Sequence, residues 1–212
     1  MPRSSQRTLI FDLDGTLSDP VVGIGRSMNA ALVAHGYPEA DDATISRWIG
    51  PQLDIAFRAL APGVSEDGVT GLVAAYRARY WAVGYAENVV YPGIEDALSA
   101  LTARGVRLGV CSSKRTDVAD RVLSAFNLRH YFAFVDGGDI GVSKGDQLRR
   151  LVTQGLDPAS AVMVGDRAVD VLAAKQNALA SVGVLWGHGS REELTVAQAD
   201  VLLESPSQLC DL

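Results

Sequence analysis

The sequence predicts a doubly wound α/β fold, with a parallel sheet at its centre and a helical insertion after the first strand. Three observations carry this. Short apolar runs alternate with stretches of helical periodicity, the pattern of repeated βαβ units. The runs are near-continuously apolar instead of alternating strictly with polar residues, as suits strands buried on both faces. The interval from the first run to the second exceeds ninety residues, Asp12 to Val106, far more than one crossover helix needs.

The first strand is Leu9-Ile10-Phe11, ended by Asp12. From residue 20 to residue 88 the pattern turns helical, over Val21 to His35, Ala43 to Ile49, Leu53 to Leu60 and Glu66 to Tyr85. Gly36-Tyr37-Pro38, Gly50-Pro51 and Ala61-Pro62-Gly63 punctuate these segments. Tyr91-Pro92-Gly93 returns the chain to the core. Ile94, Leu98 and Leu101 then share one helix face, spaced i, i+4 and i+7. Val106 to Cys111 is the second strand, followed by a helix marked by Val118, Val122, Ala125 and Phe126. Tyr131 to Val135 reads as the third strand, and Leu148, Leu151 and Val152 as the helix after it. Ala161 to Val164 is the fourth, ending at Gly165-Asp166, with Val171, Leu172 and Lys175 in its helix. Ser181 to Leu185 is the fifth. The expected division is residues 1–17 and 90–212 for the α/β core and 18–89 for the helical insertion.

Composition narrows the partners. The chain has 212 residues, and Lys+Arg 19 against Asp+Glu 25 leaves a net charge of −6. At 48% hydrophobic and 21% charged it is too apolar for disorder. The acidic balance argues against a nucleic-acid polymer as partner, which calls for clustered Lys and Arg. No stretch of about 18 uninterrupted apolar residues exists, so no membrane partner is expected. Met1 to Arg7 is polar and lacks the apolar run of a secretion signal. Cys111 and Cys210 form neither a disulfide framework nor a zinc site by themselves, and a reducing cytoplasm is the expected location. His35, His130 and His188 stand singly, without zinc spacing. A monomer and a homodimer both fit.

In open parallel sheets ligands bind beyond the carboxyl ends of the strands. The polar residues ending these strands are Asp12 and Asp14, Ser112 and Ser113, then Lys144, then Asp166 and Asp170. Carboxylates gathered at one edge repel unless a hard cation neutralises them, and Mg²⁺ takes carboxylate oxygens together with water and phosphate. Ser112, Ser113 and Lys144 are suited to grip the remaining phosphate oxygens, and an aspartate can attack phosphorus to form an aspartyl phosphate. The acid pair in Asp12-Leu13-Asp14-Gly15-Thr16 is not a calcium loop, because an apolar strand precedes it where an EF-hand needs a helix.

Phe11-Asp12-Leu13-Asp14-Gly15-Thr16-Leu17, Ser112, Lys144 and Gly165-Asp166-x-x-x-Asp170, in that order, resemble the four motifs of the haloacid dehalogenase superfamily. Tyr91-Pro92-Gly93-Ile94 and Val184-Leu185-Trp186-Gly187-His188-Gly189-Ser190 resemble its phosphoglycolate phosphatase-like branch. The resemblance implies a Mg²⁺-dependent phosphomonoesterase acting on a small soluble phosphate, phosphoglycolate-like or a nucleoside 5'-monophosphate. It implies Asp12 as nucleophile and metal ligand, and Asp14 as acid and base with its backbone carbonyl on the metal. Asp166 would be a metal ligand, Asp170 a support behind it, and Ser112 and Lys144 the phosphate grip. The inserted helices would be a cap that reads the rest of the substrate. Within it Arg47-Trp48-Ile49-Gly50-Pro51-Gln52 joins an Arg, an aromatic and a rigid turn, which makes Arg47, Gly50 and Pro51 the candidate specificity residues; the alternative is that Trp48 and Ile49 pack the cap core and Arg47 is solvated. The sequence departs from the family pattern at Ser112, where Thr is usual, and at Ala178, where a Gly is common nearby.

A β-phosphoglucomutase-like mutase shares these motifs and is the alternative enzyme. A receiver-type signalling module is the non-enzymatic one, disfavoured because the acid pair here ends the first strand. Tyr76, Tyr80 and Trp81, at i, i+4 and i+5, are expected in the core of the insertion instead of forming a base-stacking platform.

Overall fold

The computed structural model describes residues 6–212; residues 1–5 of the polar N-terminal stretch lie outside the described residues. The chain forms two compact units, one from residues up to Ser18 together with Val90–Leu212, the other Asp19–Val89. β1 is Thr8–Phe11, and β2, Ser18–Asp19, leads out of the first unit.

The second unit is helical: α1 Val21–Ala34, α2 Asp42–Arg47, α3 Leu53–Leu60 and α4 Glu66–Ala82. Two starts are fixed by side chains that accept otherwise unpaired helix N–H groups. Asp41 Oδ1 accepts from Thr44 N–H at 2.7 Å and Ser65 Oγ from Gly68 N–H at 3.1 Å. Met28, Leu32, Ile45, Phe57 and Leu72 are buried in this unit. Tyr76 and Tyr80 join them, their rings stacked with centroids 5.5 Å apart. Trp81 departs from expectation and is 44% exposed, because a residue five positions on from Tyr76 has rotated off the buried stripe. The last helix is also shorter than its pattern suggested: it stops at Ala82, and Gly84–Glu87 forms a 3₁₀ turn.

β3, Val89–Val90, returns the chain to the first unit, which continues as α5 Ile94–Ala103, β4 Arg107–Ser112, α6 Thr116–Ala125 and β5 Phe134–Gly137. Then come α7 Lys144–Thr153, β6 Ala161–Gly165, α8 Ala168–Gln176, β7 Ala180–Val184, α9 Arg191–Val196 and β8 Val201–Leu203. The third strand begins later than its apolar run: Arg129–Tyr131 forms a 3₁₀ turn, and the strand register with β4 begins at Phe134. β8 was not anticipated.

Six strands form one sheet in the order β5-β4-β1-β6-β7-β8, every adjacent pair parallel. Counted along the chain that order is 3-2-1-4-5-6, the doubly wound arrangement the sequence predicts. The chain winds outward from β1 through β4 to β5, crosses back to β6, and winds outward the other way. The direction reverses between β1 and β6, the crevice where such sheets bind ligands. Phe11 is in register with both Val110 and Val164, so the residues following all three strands emerge at one edge. Ile10, Cys111 and Met163 are buried in one cluster with Leu148 of α7 and Ala174 of α8. Among the described residues no helix is long and apolar enough to cross a membrane.

Candidate active site

Asp12 is the first residue past β1, and Asp166 the first past β6. The two strands are neighbours, so their acids stand side by side at the reversal point. Asp170 comes from the first turn of α8 and Lys144 opens α7. Carboxylate oxygens of Asp12, Asp166 and Asp170 lie within 4.8 Å of one another, and all three residues are buried. Lys144, 3% exposed, is the cation among them. Its Nζ lies 2.9 Å from Asp12 Oδ2 and donates a short hydrogen bond to Asp170 Oδ1. Asp170 Oδ2 accepts from Arg167 N–H at 3.1 Å, so this acid both starts its helix and holds the lysine.

Three carboxylates against one ammonium leave an excess of two negative charges when all are ionised. The cluster strains against that. Burial, reinforced by Asp170 and Asp12, pushes Asp166 up to about 8. Burial also pushes Asp12 upward against the pull of Lys144. For Lys144 burial works downward, but Asp12 and Asp170 outweigh it and hold the amine charged. Dry carboxylates forced toward protonation, all oxygen donors, with a deficit equal to one divalent cation, fit Mg²⁺.

The turn after β1 is built around this cluster. Gly15 has φ +79°, a conformation disfavoured for residues with a Cβ, and a Cβ there would lie 2.2 Å from Asp166 Oδ2. Thr16 Oγ1 donates to Asp166 Oδ1 at 3.4 Å. The segment after β7 closes over the same acid: His188 N–H donates to Asp166 Oδ2 at 2.8 Å, and Trp186 Nε1 donates to Thr16 O at 3.0 Å. A Cβ at Gly187 would stand 2.2 Å from Gly15 O and 2.4 Å from Asp166 Cβ. Sequence reasoning used Trp186 to Ser190 only as a branch marker; here that segment supports Asp166.

Ser112 ends β4 and is buried, while Ser113 is half-buried just beyond it. Ser112 Oγ accepts from Lys114 N–H at 3.2 Å, and Ser112 O accepts from Gln147 Nε2 at 3.0 Å. Cys111, immediately before, is buried at the centre of the sheet, and burial drives its thiol well above the ordinary range. That removes it as a competing nucleophile.

Asp14 is not one of the three clustered acids and has its own cation: Lys114 Nζ donates a short hydrogen bond to Asp14 Oδ2. Sequence reasoning missed Lys114. Its position two residues after Ser112, at the end of a central strand, was the available signal. Arg47, Gly50 and Pro51 belong to the helical unit. Arg47 is exposed and its guanidinium bonds Thr44 Oγ1 at 3.2 Å, while Gly50 has φ +102°.

Comparison with known proteins places this geometry. Residues 9–184 match the family model of haloacid dehalogenase-like hydrolases. A 5'-nucleotidase of Pseudomonas aeruginosa is 37% identical over 194 residues, covering 90% of this chain and 87% of its own. The phosphoglycolate phosphatase of Shigella boydii is 31% identical over 228 residues, covering 96% and 90%. The tyrosine-protein kinase PtkA of Mycobacterium tuberculosis is 36% identical over 198 residues, covering 89% of this chain but 65% of PtkA. A solved structure of a predicted phosphatase from Clostridium acetobutylicum has a TM-score of 0.91 at 34% identity, with 98% of both chains covered. Since the family match runs from β1 to the end of β7, through every strand-end residue described above, the chain belongs to the haloacid dehalogenase-like hydrolases and is a phosphatase of that family.

Proposed function

We propose that the protein is a Mg²⁺-dependent phosphomonoester hydrolase working through an aspartyl phosphate, with a small organic phosphate as substrate. The carrying observation is the pair Asp12 and Asp166 at the reversal point, in a buried cluster short of two positive charges. Asp12 and Asp166 carboxylates and the Asp14 backbone carbonyl would hold the ion, with Asp170 supporting from behind. Bound there, Mg²⁺ would orient the phosphoryl group and offset its charge. Phosphoryl transfer is governed chiefly by positioning and charge neutralisation, and the chain supplies both.

On this reading Asp12 attacks phosphorus while Asp14 gives its proton to the departing alkoxide. Asp14 then takes a proton from the water that attacks the aspartyl phosphate, and inorganic phosphate leaves. Lys144 bonds a phosphoryl oxygen beside Asp12. Ser112 already accepts from Lys114 N–H, so its own hydroxyl hydrogen is left to donate to another phosphoryl oxygen, with Ser113 beside it. The names of the relatives favour phosphoglycolate or a nucleoside 5'-monophosphate as substrate. The helical unit serves as a cap that reads the organic part, through Arg47, Gly50 and Pro51. Two free cysteines suit a cytoplasmic enzyme, acting as a monomer or homodimer.

The test is phosphate release from phosphoglycolate and a set of nucleoside 5'-monophosphates, with Mg²⁺ and with EDTA. Release that needs Mg²⁺ and disappears in Asp12→Asn is expected. Full activity of Asp12→Asn would remove Asp12 as nucleophile. A sugar phosphate isomerised with no phosphate released would replace the hydrolase by a mutase.

A further inference from the structure

The loop after β4 bears on the acid–base step as well as on phosphate binding. Lys114 makes two contacts at once: its backbone N–H donates to Ser112 Oγ at 3.2 Å, and its ammonium donates to Asp14 Oδ2. The side chains of Lys114 and Asp14 are 9% and 10% exposed, so the pair is largely shielded from water. The other carboxylate oxygen, Asp14 Oδ1, is buried and has no hydrogen-bond partner among the described residues. A buried carboxylate oxygen without a partner is costly in a finished core and is expected where a reacting group will arrive.

We infer that Lys114 is a positioning residue for the acid–base carboxylate: it fixes Oδ2 and thereby presents Oδ1 as the oxygen that carries the proton. This rests on the hydrolase reading above. In the first half-reaction the proton on Oδ1 passes to the ester oxygen as the P–O bond to the alcohol breaks and the bond from Asp12 to phosphorus forms. The negative charge this leaves on Asp14 faces the Lys114 ammonium, already in place. In the second, Oδ1 takes a proton from water as the water oxygen bonds to phosphorus and the Asp12–phosphorus bond breaks. Because Lys114 also holds Ser112 Oγ, the acid and the phosphate-gripping hydroxyl are tied to one residue, and their spacing is set by a single short loop.

The test uses leaving groups that differ in their need for a proton. An alkyl phosphate expels a strongly basic alkoxide, whereas 4-nitrophenyl phosphate expels a stable phenolate. In Lys114→Met the alkyl ester is expected to lose about 100-fold in kcat/KM, and the aryl ester at least about tenfold less, within the range of general acid catalysis. Lys114→Arg, which keeps the cation, should recover part of the alkyl activity. A merely structural role, acting through a disordered loop, would lower both esters alike, and equal losses would overturn the assignment. Should Lys114→Met fail to fold, Asp14→Asn/Lys114→Met carries the test against Asp14→Asn alone. The two should agree within about threefold on the alkyl ester, because Lys114 acts through Asp14; a further large loss would overturn it. No hydrolysis of either ester by the unmodified enzyme would overturn the hydrolase reading, and the Lys114 role with it.

Discussion

Ala178 adopts φ +58° on an exposed turn between α8 and β7, where a Cβ meets the neighbouring carbonyl. The left-handed conformation costs a non-glycine residue roughly 1–2 kcal/mol, and glycine escapes it at some expense in unfolded-state entropy. Ala178→Gly should therefore stabilise the protein by about 0.5–1 kcal/mol, read as a higher urea midpoint at an unchanged m-value. The departure from the family pattern at this position was visible in the sequence, but its sign was not: only the backbone angle shows that Ala sits in a glycine's place. The two lysines of the candidate site divide in the same way. Lys144 was legible because it completes a set of strand-end residues in family order. Lys114 was not, because a lysine in a polar loop reads as a solvated charge, and its partner Asp14 is a hundred residues away.

At the scale of elements, the sheet was legible where strands are buried on both faces. β1, β4 and β6 form near-continuous apolar runs because they lie inside the sheet, with helices against it. The edges were not. β5 shares its apolar run with a 3₁₀ turn, and β8 is three residues long with Val201 43% exposed, so neither carries a clean strand signature. β8 is joined to the sheet by a side chain as well as by its ladder. Asp200 Oδ2 accepts from Ser181 N–H at 2.8 Å and from Ser181 Oγ at 2.7 Å, and Asp200 N–H donates to Ser181 Oγ at 3.2 Å. These bonds hold the Asp200 carboxyl below its usual range. Asp200→Ala would strand the buried Ser181, at a cost of about 1–3 kcal/mol. Asp200→Asn keeps an acceptor and should lose roughly half as much. Equal loss in the two variants, measured by urea denaturation, would show that charge and not the bonding pattern holds this edge.

For the whole molecule, the acidic cluster couples folding to protons and, on the proposed reading, to Mg²⁺. The net charge of −6 alone says little about where repulsion falls; the structure concentrates it behind the reversal point of the sheet. Asp166, pushed up to about 8 by burial and by Asp170 and Asp12, binds a proton in the folded state that an unfolded carboxylate would have released near pH 4. Asp12 shifts in the same direction. Between those limits the folded state holds more protons than the unfolded one, so the metal-free protein must lose stability as pH rises from about 4 toward 8. The proposed Mg²⁺ would compete with those protons for the same oxygens. Its stabilisation should therefore be small near pH 5.5 and large near pH 8. In thermal melts the rise in Tm on replacing EDTA by Mg²⁺ should be several degrees greater at pH 8, given about 2–4 °C per kcal/mol for a chain of this size. Asp166→Asn, which removes the most strongly shifted acid, should flatten both the pH dependence in EDTA and the response to Mg²⁺. A Mg²⁺ effect that is the same at both pH values, or that survives intact in Asp166→Asn, would place the cation elsewhere on the protein.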